Sequence, residues 1–341
     1  MTASSIKIRG LDPQMTILAE LGERNVIEEI VKTVGIRVST GEVLSYPDDA
    51  KDLLPKAPRL IVNVDGYGID KLRLPWRDSS DIGWCAITGS VSDVIAKGGF
   101  PDAVLIALGL PADYPLEELR KLAEGVKDAI DYYKIRLVGG DTNSSSEPWI
   151  AVTTIGFTPA KKPPTRKGLR VNDYIVVTGI YGAMGFAAVK GIEEAGRRHW
   201  VVERTKRPVA VKELSVVISS NYRWITASMD VSDGLGYTLQ TLSIESDARI
   251  LLTQPPLYEP SLIDECQGSM ECVVKTAMSG GEEYGVVLGI RPEGLNNVVK
   301  DLEYYNIPFR VVGRVVDGEP GVFYGDKPLE FASWDQFKGW G

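Results

Sequence analysis

The aspartates most suited to joint chemistry in this chain follow short apolar runs: Asp48 and Asp49 in YPDDA, Asp65 in IVNVD, Asp93 in SVSD, Asp141 in VGGD, and Asp230 and Asp233 in MDVSDG. Taken singly, an aspartate in such a place is a helix cap or a turn residue. Taken together, the set is a candidate for one shared site. Two carboxylates ~4 Å apart repel by roughly 4 kcal/mol at an effective dielectric near 20, so a convergent set needs protons or cations. Magnesium is the natural counter-ion, because it takes hard oxygen ligands and bridges protein carboxylates to substrate phosphates. Zinc and copper favour imidazole and thiolate. The chain has a single histidine, His199 in GRRHW, which reads as a surface residue. A Ser-His-Asp or Cys-His arrangement would have to be built on it, with no nucleophile motif nearby.

No P-loop and no kinase loop set is present. The stretch VGGDT reads as a strand that stops at Gly139 and Gly140, giving up side-chain packing for access to the main chain. Its amides, and those of the DGLG turn at Asp233, are candidates to cradle phosphate, although glycine pairs also serve as plain turns.

The elements that must position these residues follow from periodicity. LGERNVIEEIVKTVG puts Ile27, Ile30, Val31 and Val34 on one helical face and ends at Gly35. RLIVNVDGYG reads as a strand to Asp65, DIGWCAITGSVSDVIAKGG as a helix with Asp93 near its inner stripe, AVLIALGL as a strand, and PLEELRKLAEGVKDAIDYY as a helix. IRLVGGD and WIAVTTIGF are further strands. TPAKKPPTRKGLRVND is rich in proline and charge and lacks a period, which marks a domain boundary between 1–160 and 161–341. Beyond it come the strand YIVVTG, a helix through Glu194, a helix around 209–219, a strand from Ile225, a helix after the DGLG turn, and the strand FRVVGRVV. The class is α/β, with an α+β second half.

A length of 341 residues accommodates two cores, and 44% hydrophobic with 25% charged residues is ordinary globular composition. The formal charge of −8 argues against nucleic acid as a partner. Cys85, Cys266 and Cys272 form no CxxC, so the expectation is buried, inert thiols with neither a disulfide framework nor a thiolate zinc site. No apolar run approaches a membrane span, and the expectation is a soluble, cytoplasmic protein without a membrane partner.

In order and spacing these motifs resemble the thiamine-monophosphate kinases, within the superfamily that includes aminoimidazole ribonucleotide synthetase, selenophosphate synthetase and the hydrogenase maturation protein HypE. PDDA resembles the family's GDDA, VNVD its STD, GSVSDVIAKGGFP its NLSDLAAMGA, VGGDT its GGDT, MDVSDGL its DLSDGL and SGGEEYGV its SGGEDYEL. The resemblance implies a two-domain fold like that of aminoimidazole ribonucleotide synthetase. Its N-terminal mixed-sheet domain would pair across a homodimer into a barrel, and ATP and several magnesium ions would lie in a cleft shared with the C-terminal domain. By position it implies metal-site roles for Asp49, Asn63, Asp65, Asp93, Asp141, Asp230 and Asp233, and ATP contacts for Gly140, Arg166 and Ser232. It places Glu282 and Glu283 on the substrate side and Phe331 and Trp334 where they would stack on the substrate ring. A turn glutamate and a tail-pinning aromatic are the plainer readings of those four.

The implied reaction transfers the γ-phosphoryl of ATP to the phosphate of thiamine monophosphate. Three departures fall on or near the acceptor half of the pattern: Leu72 where the family has histidine, Pro47 in place of the first glycine, and Ala183 in place of an acid. They leave two alternatives open. One is a related ATP-dependent enzyme with another small acceptor, the other a nucleotide-binding protein without turnover.

Overall fold

Burial alternates along β1, Arg59–Gly68, from Leu60 onward. Leu60, Val62 and Val64 are exposed on one face, and Ile61, Asn63, Asp65 and Tyr67 lie on the other. A period of two assigns every second residue to one side of a sheet, so the spacing N-x-D puts an amide and a carboxylate side by side. The computed structural model describes residues 16–44, 50–332, 334, 335, 339 and 340, the last four by backbone alone.

β1 joins β2 (Phe100–Leu110), β3 (Arg136–Ser144) and β4 (Trp149–Thr158) in a sheet of order β1-β4-β2-β3. β4 runs antiparallel to β1 and β2, whereas β2 and β3 are parallel. The parallel pair requires a crossover, supplied by the helix Leu116–Tyr133.

The helix Ser79–Ala96 starts at a capping box formed by Asp78 and Asp81 and is buried almost all round. Gly83 and Gly125 let it approach Leu116–Tyr133 closely, since a Cβ on either would collide with a carbonyl oxygen of the other helix. Ile82, Ile87 and Val91 are fully buried on it, each contributing roughly 2 kcal/mol. This burial fixes the helix that carries Asp93.

The second sheet holds β5 (Tyr174–Thr178), β6 (Ile225–Asp230), β7 (Arg249–Leu252), β8 (Val286–Ile290), β9 (Phe309–Val316), β10 (Gly321–Tyr324) and β11 (Lys327–Pro328), in the order β11-β10-β7-β9-β5-β8-β6. The fold is therefore mixed α/β with two sheets. One face of the second sheet, with Val176, Leu288 and Ile290, shares a core with the first sheet's helices. The other face, with Ile175, Val177 and Val287, packs on Leu235 and Leu239. Hydrophobic contact is thus continuous across the proline-rich linker. Short strands β12 (Trp334–Asp335) and β13 (Gly339–Trp340) pair near the end.

Two expectations are corrected. β3 does not stop at the glycines: it runs through Gly139, Gly140 and Asp141 to Ser144, because a glycine at 140 leaves room for the Ile106 carbonyl of β2, which a Cβ would approach to 2.1 Å. Cys266 and Cys272 form a disulfide, with Cα atoms 5.6 Å apart. Gln267 and Gly268 both take left-handed backbone conformations and turn the chain back on itself, a reversal that spacing does not reveal. Cys85 is free and buried, as expected, with its thiol pushed up to about 12 by desolvation.

Candidate active site

The C-terminal end of Ser79–Ala96 docks on β6. Ser228 Oγ donates to the Ala96 carbonyl at 2.6 Å, and the Lys97 ammonium donates to the Ser228 carbonyl. This contact brings the acids of the first sheet and helix to those of the second. Asn63 Nδ2 donates to Asp65 Oδ2 at 3.1 Å and to Asp93 Oδ2 at 3.0 Å, while its Oδ1 accepts from Ser90 Oγ at 3.2 Å. On the far side, Ser92 Oγ donates to Asp230 Oδ2 at 3.0 Å. One amide thus holds two carboxylates together, and Ser90 and Ser92, two residues apart on the same helix, support the arrangement.

The charges in this cluster are undercompensated. Desolvation, then repulsion from Asp93, raises Asp65 to about 6. The same two causes raise buried Asp230 to about 7, against the pull of Lys97 and Arg166. Asp233 is raised by desolvation and by Asp93, with Arg166 opposing. Lys97 is lowered to about 8 by desolvation and by Arg166.

Asn63, Asp65, Asp93, Asp230 and Asp233 therefore form one electrostatic unit, with Arg166 and Lys97 as its cations. Among the described residues no three carboxylates close on a single ion's position. Asp230 is buried and Asp65, Asp93 and Asp233 are half-buried, and an ion there would take one or two carboxylates and complete its shell from water and phosphate, the usual habit of magnesium.

The loops beyond the cluster are fitted backbone to backbone. Gly234 (φ +114) brings its Cα so near the Gly280 carbonyl that a Cβ would lie 2.1 Å from it, and Gly280 (φ +86) stands as close to Gly185. Glu282 donates its N–H to Ser232 O at 2.7 Å, and Tyr284 donates to Val231 O at 3.0 Å. Glu282 and Ser232 line a cleft of about 150 Å3 that continues from Asp233 past Tyr67, with Leu72 and Met184 among its apolar walls. Arg77 lies 2.7 Å from Glu282 Oε2 and also donates to the carbonyls of Leu72 and Thr205. Desolvation opposes the charge on Arg77, but the Glu282 carboxylate outweighs it and raises the guanidinium above its ordinary value, so Arg77 stays a cation.

The neighbouring glutamate has a different task. Glu283 Oε1 accepts the N–H groups of Gly182, Ala183 and Met184 at 2.9, 2.8 and 3.3 Å, capping the helix Ala183–Lys190. Its Oε2 is buried without a partner, and desolvation raises the carboxyl to about 8.

Other expected residues lie apart or beyond view. Asp49 is outside the described residues. Asp141 is exposed, accepts from Asn143 Nδ2 at 2.6 Å, and with Gly140 sits on the edge strand opposite β1. The register Asp65–Val152, Val152–Ile106, Ile106–Gly140 separates the two edges by three strand spacings, about 14 Å. Phe331 lies over Gly236, and its neighbour Ala332 is tied to Ser279 Oγ at 2.8 Å. Trp334 lies in β12, its side chain outside the described residues. His199 is exposed, as expected.

Sequence reasoning missed Lys97 and Arg77. The signal for Lys97 was its place at the C-cap of an acid-bearing helix, before two glycines. Arg77 offered none, because its partner is about two hundred residues away.

Comparison with known proteins bears on the family and the fold. Residues 47–158 match the family described as AIR synthase related protein, N-terminal domain. A thiamine-monophosphate kinase of Aquifex aeolicus is 30% identical over 325 residues, covering 94% of this chain and 99% of that protein. The solved structure of AaThiL complexed with AMPPCP and TMP, also from Aquifex aeolicus, superposes with a TM-score of 0.68 at 28% identity, covering 94% and 99% of the two chains. The crystal structure of a thiamine-monophosphate kinase from Stenotrophomonas maltophilia K279a shares the fold, with a TM-score of 0.75 at 22% identity over 89% and 96%.

Proposed function

Because this chain belongs to the thiamine-monophosphate kinase family, we propose that the acid cluster and its cleft together transfer the γ-phosphoryl group of ATP to the phosphate of thiamine monophosphate. The chain is an ATP-dependent phosphotransferase. The observation that carries the site assignment is the joining of Asp65, Asp93, Asp230 and Asp233 from both sheets beside two cations.

An acceptor phosphomonoester has a second pKa of about 6 and is mostly dianionic at neutral pH, so no general base is needed. An acceptor oxygen forms a bond to the γ-phosphorus as the bond to the β–γ bridging oxygen breaks, and ADP leaves with that electron pair. The residues have to align two anions and neutralise them. In this reading the carboxylates of Asp65, Asp93, Asp230 and Asp233 would hold magnesium, whose preference for hard oxygens they fit, and Asn63 would join them with its amide turned so that Oδ1, which here accepts from Ser90 Oγ, faces the ion. When bound, magnesium screens the phosphates and polarises their oxygens. Arg166, Ser232 and Lys97 attend the nucleotide. Glu282, oriented by Arg77, faces the cationic ring of the acceptor. Phe331 and Trp334 border that end.

Gly140 and Asp141 enter the site through a second copy. Leu60, Val62 and Val64 are 58%, 53% and 65% exposed in a row on β1, an apolar surface that a homodimer would cover. Closing two such sheets into a barrel with β3 of one copy beside β1 of the other carries Asp141 across the 14 Å gap of the single chain. In the same reading residues 1–160 and 161–341 are the two domains that meet at the cleft.

A coupled assay with ATP, magnesium and thiamine monophosphate is expected to yield thiamine diphosphate. A folded preparation that binds ATP and forms none overturns the acceptor assignment. Because Leu72 lines the cleft, other small phosphomonoesters belong in the same assay, and faster turnover of one of them would favour a related kinase.

A further inference from the structure

At the opposite end of β6 from Asp230, the linker between the sheets folds beside Ile225 and Thr226 and closes a cleft of about 230 Å3. Lys162, Lys167, Arg170, Arg223 and Arg291 surround it, in a chain whose formal charge is −8. Arg136, Arg198 and Arg207, by contrast, each pair with two carboxylates. Among the described residues, none of these five cations forms an ion pair. The nearby carboxylate, Asp173, is buried, accepts from the Arg170 N–H at 2.9 Å and from Thr226 Oγ1 at 2.7 Å, and offsets Arg170 and Arg291 in part without forming an ion pair with either.

The cations come from three separate segments held in place by structure. An isolated bridge pairs Thr165 with Ala227 and fixes the linker beside β6. Alternation along the linker turns Thr165 and Lys167 to this cleft, while Arg166 between them acts on Asp233 and Asp230. Arg223 lies over the Tyr222 ring, 5.8 Å from its centroid. Thr226 is four strand residues from Asp230, roughly 13 Å away, so the two clusters are distinct. Like charges gathered in a concave surface focus potential and draw in anions.

We propose that this cleft is a second oxyanion site, which takes a compact polyanion of the inorganic di- or triphosphate class. Its volume is below the usual 300 Å3 or more of pockets for larger organic ligands. The acidic remainder of the chain repels an extended nucleic acid.

The test is calorimetric titration of inorganic pyrophosphate and of tripolyphosphate into the full chain, with the ATP site saturated by AMPPCP and magnesium. One additional site is expected, and Lys167→Ala combined with Arg291→Ala weakens it by roughly tenfold or more. Absence of further binding, or binding unchanged in the double variant, overturns the proposal. So does binding of a single-stranded oligonucleotide in place of both small anions. The double variant keeps wild-type kinase turnover, so a failure here is distinguishable from a failure of the kinase reading.

Discussion

The two sheets obey the same alternation rule and end in opposite conditions. The seven-stranded sheet has both faces covered by its own chain, and β8 is buried at every residue. The four-stranded sheet is covered on one face by helices and on the other leaves β1 bearing a row of exposed valine and leucine. Yet the unfinished sheet and its helix carry Asn63, Asp65 and Asp93. The second sheet is complete in itself and supplies fixed loops. The first sheet carries its carboxylates on one face of an edge strand whose other face is apolar and exposed, so under the proposed homodimer catalytic competence and assembly are expected to depend on the same strand.

The sharpest way to break that contrast is to mix two inactive variants, Asp65→Asn and Asp141→Asn. If the site is built across copies, random exchange leaves one intact site in half of the dimers, and activity returns to about a quarter of wild type. No recovery would confine each site to a single chain. Val62→Lys with Val64→Lys is expected to give a monomer by light scattering and to abolish turnover, while the second sheet stays folded by circular dichroism.

Next in size is Asp230→Asn, expected to lower kcat by roughly 10²- to 10³-fold. The amide keeps an acceptor for Ser92 and removes a buried charge, so the metal-free variant should melt no lower than wild type. The rise in Tm on adding magnesium should shrink. A lower metal-free Tm would mean that the carboxylate is structural.

Arg77→Ala probes the second sheet's loops. Arg77 is 1% and Glu282 24% exposed in their side chains, and removing one partner of a buried pair costs about 3 kcal/mol. Urea denaturation should show that loss, and the KM for thiamine monophosphate should rise more than kcat falls.

The smallest effect is expected at Glu283. Its folded carboxyl is raised from 4.5 to about 8 by burial, with Glu259 adding a smaller repulsion. Protonation therefore stabilises the fold fully below the unfolded value, and that stabilisation is lost as pH rises through about 8. Tm should fall between about pH 5 and 8 in the wild type and more gently in Glu283→Gln. Parallel curves would place the ionisation elsewhere.

The acids were legible because local rules place them. Period two puts Asn63 beside Asp65, and the 3.6-residue period sets Asp93 on the side of its helix that meets them. Asp230 and Asp233 follow from a strand entering a turn. What escaped depends on remote segments. β3 reads as ending at Gly139 only until the Ile106 carbonyl explains Gly140. Cys266 and Cys272 look inert until a left-handed turn joins them. The adjacent Glu282 and Glu283 are indistinguishable in sequence, yet one meets a distant arginine and the other a helix start. Strands as short as Arg249–Leu252 carry too few residues to show a period.

The meshing of Gly234 with Gly280 also has a mechanical meaning. The turn bearing Ser232 and the turn bearing Glu282 have no side-chain cushion between them, so neither can shift without dragging the other. Under the proposed assignment the donor and acceptor ends of the cleft would thereby be geared, so that a movement admitting one reactant would reset the grip on its counterpart. Even an alanine at position 234 would force the two turns apart and carry Asp233 and Glu282 out of register with each other.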